Sequence, residues 1–83
     1  MKKIYESPLN GWDESAEIIH VYELESSDEF WDLYDMSFEE KCNYFGVVDE
    51  TGYFVEPGAK YYTYSFSVEC KHVIMIETVA YNV

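Results

Sequence analysis

The chain contains no arginine. Five lysines stand against seventeen Asp and Glu residues, so the formal net charge is −12 over 83 residues. That shortage of cations excludes direct binding to nucleic acid, whose affinity comes largely from cationic groups that release the phosphates' counterions. It equally excludes docking on an anionic membrane surface. Long apolar runs are missing too. The longest, Val73-Ile74-Met75-Ile76, ends at Glu77, far short of the roughly 20 residues that span a bilayer. Lys2 and Lys3 are followed by no apolar stretch of the kind a secretory leader needs, so a cytoplasmic protein is expected. Cys42 and Cys70 form no CxxC pair, and in a reducing compartment both are expected to be buried free thiols. The four glycines are scattered, which leaves no phosphate-cradling loop.

What is abundant is apolar. With 48% hydrophobic and 19% aromatic residues, the chain is no acidic disordered tail. At this length one domain, residues 1–83, is expected, burying about 60–65% of its unfolded surface. The charge is unevenly spread. Residues 1–56 hold fifteen acids and three lysines, the whole of the imbalance, while residues 57–83 sum to zero. From Asp13 to Glu40 there are eleven carboxylates and no cation.

Periodicity predicts the elements. Residues 2–6 read as a first strand, closed by the turn-forming pairs Ser7-Pro8 and Asn10-Gly11. Glu17 to Glu25 is β-rich with apolar side chains on both faces, as expected of a strand covered on each side. Ser26 to Glu29 has capping-box spacing, and a helical period follows to Phe45 with Gly46 placed to end it. Ser37 and Glu40 repeat the capping signature, so the stretch is either two short helices broken near Met36 or one kinked helix. Phe30, Leu33, Tyr34, Phe38, Tyr44 and Phe45 share one side of that period. Val47-Val48 and Tyr53 to Val55 are expected to flank a hairpin loop at Asp49 to Gly52. Tyr61 to Cys70 alternates over its whole length and pairs with Val73 to Tyr81. The expected fold class is α+β: an antiparallel sheet of four to six strands, with the helical structure of about residues 27–45 packed on one face. Tyr62, Tyr64 and Phe66 are expected to lie beneath the helix as core rather than to stack bases, since no basic groove accompanies them.

Asp28, Asp32, Asp35 and Glu39 are spaced four, three and four residues apart. On a helix this gives steps of about 4.5–6 Å along the axis, a pitch that crudely imitates the phosphates of one DNA strand. Solvated helices also carry acids, but they interleave Lys or Arg at i+4; here like charges repel, at a few tenths of a kcal/mol per pair. Glu29 and Glu40 add to the acidic first turns, while Asp13, Glu14, Glu17 and Glu25 flank the preceding strand and would extend the negative surface if that strand adjoins the helix. These ten carboxylates are the candidate partner-binding residues. No metal-ligand spacing occurs: Cys70 and His72 lie two apart without a second pair, and no calcium-loop segment is present. No nucleophile context surrounds the histidines, so neither an enzyme nor a cofactor is expected.

In size, arginine-free composition and the carboxylate row, the chain resembles small acidic phage and mobile-element anti-defence proteins, the anti-CRISPR and anti-restriction inhibitors that often act as DNA mimics. The resemblance implies occlusion of a partner's Lys/Arg-rich nucleic-acid-binding surface, on a nuclease or CRISPR effector, by a monomer or small homo-oligomer. Two other classes fit: an immunity protein or antitoxin neutralising a basic nuclease, and a regulatory or structural module that uses the Tyr-rich sheet as its interface.

Overall fold

A computed structural model of the chain describes residues 1–11 and 15–82. Asp13 and Glu14 lie outside the described residues. The elements run β1 (Lys2–Glu6), β2 (Ser15–Glu23), α1 (Ser27–Asp35), α2 (Phe38–Phe45), β3 (Lys60–Val68) and β4 (His72–Tyr81). The four strands form one antiparallel sheet in the order β1-β2-β4-β3. The fold is α+β.

The helical region is broken. Met36 is extended, with φ −68° and ψ 141°, and Ser37 begins a new helix through a complete capping box with Glu40. Lys41 Nζ donates to the Met36 carbonyl at 3.0 Å, satisfying a group that the break leaves open. Gly46 ends α2 in the left-handed region at φ 71°, where its N–H reaches the Asn43 and Cys42 carbonyls.

Alternation sorts the sheet into two faces. His20, Tyr22, Val73, Met75, Glu77, Tyr64 and Phe66 point to the helices, because the pairs His20–Met75, Tyr22–Val73, Phe66–Met75 and Tyr64–Glu77 are directly opposite. Phe66 stacks on Phe45 at 5.3 Å and meets Phe38 edge-on at 5.8 Å, while Phe45 also touches Tyr22 at 5.1 Å. The core is small: among the described residues Ala16, Leu33, Cys42, Val73 and Met75 are the buried apolar ones.

Four expectations need correction. The second strand begins and ends two residues earlier than the pattern indicated, and only one of its faces is covered by helix. Val47-Val48 and Tyr53 to Val55 form no strands. The turn between them exists, closed by Tyr53 N–H to the Glu50 carbonyl at 3.0 Å, but the acids before it have another task. Asp49 Oδ2 accepts the Tyr64 N–H at 2.8 Å and Glu50 Oε1 the Tyr62 N–H at 2.9 Å, so the loop caps the outer edge of β3 instead of pairing with itself. Cys70 is exposed, because β3 stops at Val68 and Cys70 falls in the connection to β4; Cys42 is buried, and both are free. Finally, the expected helical apolar side is only partly inside: Leu33 is buried, Phe30 and Phe45 are half-buried, and Tyr34, Phe38 and Tyr44 are exposed. Two short helices cannot cover a sheet nine residues long.

Candidate partner-binding surface

Ser26 caps α1 by accepting the Glu29 N–H at 3.2 Å, and this fixes the rotation of the first turn. Asp28, Asp32 and Asp35 then follow on the same side of α1, all exposed. The break at Met36 swings α2 so that Glu40, rather than Glu39, meets them. Asp28, Glu29, Asp32, Asp35 and Glu40 line one groove of about 500 Å³ together with Leu33, Met36 and Tyr44. Glu39 instead faces a separate hollow beside Cys42, Val47 and Tyr53. The four-membered row read from a continuous helix is therefore three residues on α1 plus a different glutamate from α2. A phase shift of one residue, about 100°, at Met36 accounts for the exchange.

The other candidate acids are dispersed. Glu17 sits on β2 with its side chain on the face of the sheet away from the helices, as the Glu17–Thr78 pairing requires. It does not extend the groove. Glu25 precedes α1 and lies 3.4 Å from the Met1 ammonium, which also reaches Glu29 at 3.1 Å. Glu29 is thus the one groove acid with a local cation, and it also accepts the Glu25 N–H at 3.0 Å. That backbone hydrogen bond, with the ammonium, holds Glu29 below the usual carboxylate range. Glu40 is held low as well, by the Ser37 N–H and hydroxyl of the capping box. Among the described residues, Asp28, Asp32, Asp35, Glu39 and Glu40 make no ion pair.

Two aromatic residues of α1 border the acids: Trp31, which lies outside the apolar side of the helical period, and Tyr34, which belongs to it. Trp31 is 57% and Tyr34 59% exposed, although both rings pack against Phe30 at 5.0 and 5.6 Å. Rigid, exposed aromatics beside a groove are what protein interfaces favour. The sequence signal was available: Trp31 falls outside the apolar stripe of α1, where an indole has no core to enter.

A second polar group spans the covered face. Tyr64 OH donates to Glu77 Oε2 at 2.9 Å, and Glu77 Oε1 lies 3.3 Å from His20 Nε2. Across β1, His20 Nδ1 comes within 3.3 Å of Glu6 Oε1, to which Lys3 Nζ donates. Burial, and then the bond to Glu77, push the Tyr64 hydroxyl well above the ordinary phenol range, so it holds its proton. The group ties the four strands together. Among the described residues no three His, Cys, Asp or Glu side chains converge to hold a metal ion. Among the described residues no helix is long and apolar enough to cross a membrane. No protein-family model, curated protein or solved structure matches the chain.

Proposed function

We propose that the protein is a non-enzymatic acidic inhibitor that occupies the basic nucleic-acid-binding surface of a protein partner in the cytoplasm, in the manner of an anti-CRISPR or anti-restriction DNA mimic. The observation that carries this reading is the α1–α2 groove: five acidic residues line it, and among the described residues four of them make no ion pair. Holding like charges together costs free energy that ordinary solvation of a helix does not require. A partner's Lys/Arg-lined channel would relieve that repulsion on contact. Asp28, Asp32 and Asp35 rise along α1 in steps of about 6 and 4.5 Å, a row of anions that crudely imitates part of one DNA strand. Trp31 and Tyr34 supply apolar contact beside them, which raises affinity beyond what charge alone gives.

The test begins with affinity capture from a host lysate and identification of the retained proteins by mass. The expected partner is a nuclease or CRISPR effector, and the protein should compete with its DNA or guide-bound target. Asp28→Ser, Asp32→Ser and Asp35→Ser together should reduce inhibition at least a hundredfold while circular dichroism stays unchanged, at roughly 1 kcal/mol for each lost charge contact. Full inhibition by this folded triple variant would remove the groove from the mechanism. Retention of no nucleic-acid-binding protein would remove the proposed partner class.

A further inference from the structure

No described helix covers the face of the sheet turned away from α1 and α2; the loop around Phe54 and the segment around Leu9 flank its edges, and Val21, Ile74 and Ile76 are half-buried. That face presents Tyr5, Ile19, Val21, Ile74 and Ile76 in its middle, set by the pairs Tyr5–Val21, Ile19–Ile76 and Val21–Ile74. We propose that this face joins a second copy of the chain, sheet against sheet, about a two-fold axis parallel to the strands. The proposal is independent of the acidic groove, which lies on the other side of the sheet.

Four observations converge on a second copy. The first is sequence pattern. His20 apart, β2 and β4 are apolar on both sides through Ile18 to Tyr22 and Val73 to Ile76, the signature of strands buried on both faces. The second is surplus surface. The chain exposes 5664 Å², against about 5,200 Å² for a compact monomer of 9.8 kDa. Its radius of gyration of 14.0 Å exceeds the roughly 12 Å of a compact chain of this length.

The third observation is area. Three strands of nine or ten residues (β2, β4 and β3) and the five-residue β1, about 4.8 Å apart and rising about 3.4 Å per residue, make a face of about 520 Å². Two such faces together bury about 1,000 Å², the size at which a specific interface separates from a casual contact.

The fourth is self-complementary shape. Phe54 is 89% exposed in the loop beside β3, where it borders a 640 Å³ hollow floored by Tyr61 and Thr63. At the opposite edge, Tyr5, Pro8, Leu9 and Ile19 line a hollow of 280 Å³. The register puts both at one end of the strands: Tyr61 pairs with Ala80, Ala80 with Ser15, and Asn10 bridges to Glu17. A two-fold axis along the strands exchanges the two edges and keeps the ends together. Phe54 of each copy then enters the Leu9 hollow of the other, which is the reciprocal contact an isologous dimer requires. Charge is confined to the ends of the strands. Lys2 stands opposite Glu23 at one end, and at the other the exposed Glu17, on the inner strand β2, lines the Leu9 hollow; the middle is uncharged and the acidic grooves of both copies point outward.

The test is the mass of the full chain in solution by analytical ultracentrifugation. At about 100 μM it should be twice 9.8 kDa; a monomer at that concentration overturns the proposal. Phe54→Ser should weaken dimerisation at least tenfold, and because Phe54 is exposed this variant keeps the monomer fold. Ile76→Lys should do the same if circular dichroism shows it folded. An undiminished dimer in the folded Phe54→Ser protein overturns the arrangement. Leu9→Cys with Phe54→Cys, in a Cys70→Ser background, should give a covalent dimer on oxidation. A dimer that fails to cross-link in this way excludes the proposed axis.

Discussion

Tyr64 shows how one side chain is assigned a role by partners that lie far from it in sequence. Alternation alone places it on the covered face of β3, which an aromatic core residue also satisfies. The fold adds Glu77 directly across on β4, and a half-buried carboxylate needs a donor. His20, buried on β2, comes to the other oxygen. Tyr64→Phe keeps the ring and removes the hydroxyl, leaving Glu77 one donor short; the expected loss is about 2 kcal/mol in urea denaturation at pH 8. The pH dependence follows from the raised proton affinity of this phenol. Unfolded tyrosine releases its proton near pH 10 while the folded group keeps it, so the contribution is complete below about pH 10 and declines as pH rises further. The gap between wild type and Tyr64→Phe should therefore narrow in denaturation series above that pH. A gap that stayed constant would assign the stabilisation to ring packing alone.

Among elements, the α1–α2 break decides which acids meet. A continuous helix would align Asp28, Asp32, Asp35 and Glu39 on one side; the extended Met36 resets the phase and brings Glu40 into the groove. Ser37 enforces the break, since its hydroxyl accepts the Glu40 N–H at 3.1 Å and its own N–H is taken by Glu40 Oε1 at 3.1 Å. Ser37→Ala should cost about 1 kcal/mol, read as a lower thermal midpoint, and should shorten α2 in amide exchange. Glu40 is held low by the same box, so its contribution is present above the unfolded carboxylate range near pH 4 and is lost as pH falls below it. Helicity of α2 on acidification should fall in the wild type and stay flat in Glu40→Gln. The loop acids act at element scale too: Asp49 and Glu50 take the outward N–H groups of Tyr64 and Tyr62, while β1 is protected by Lys2, Lys3 and the register shift between Lys3 and Tyr5.

At the scale of the whole molecule, the sheet separates two surfaces of opposite character. The helix side carries the acidic groove; the far side is apolar in its middle, with Lys2, Glu17 and Glu23 toward the strand ends. Salt should therefore act on them in opposite directions. Binding of a basic partner to the groove should weaken as ionic strength rises from about 0.05 to 0.5 M, because screening shortens the reach of the acidic field. Pairing of two chains that each carry −12 should strengthen over the same range, because screening removes their mutual repulsion. Titrating salt in the two assays separates the surfaces without mutagenesis. Parallel responses would mean that one surface serves both.

The α+β class, the strands around residues 2–6, 61–68 and 73–81, both helix caps and the stop at Gly46 are legible in the sequence, because each rests on neighbours within a few positions: alternation, a capping pair, a glycine free to take positive φ. The concentration of charge before residue 57 is legible for the same reason. The fate of Val47 to Val55 was not, since Asp49 and Glu50 bond to Tyr64 and Tyr62 across the β3 edge rather than to their own neighbours. Nor was the scattering of the acids. Glu17 and Asp28 are eleven residues apart, yet the sheet lies between them, whereas Glu40 joins Asp28 over a longer interval. Local patterns act through the backbone of a few adjacent residues and can be read along the chain; which carboxylates share a groove depends on the phase lost at Met36 and on the sheet order β1-β2-β4-β3, and both are settled only when the elements pack.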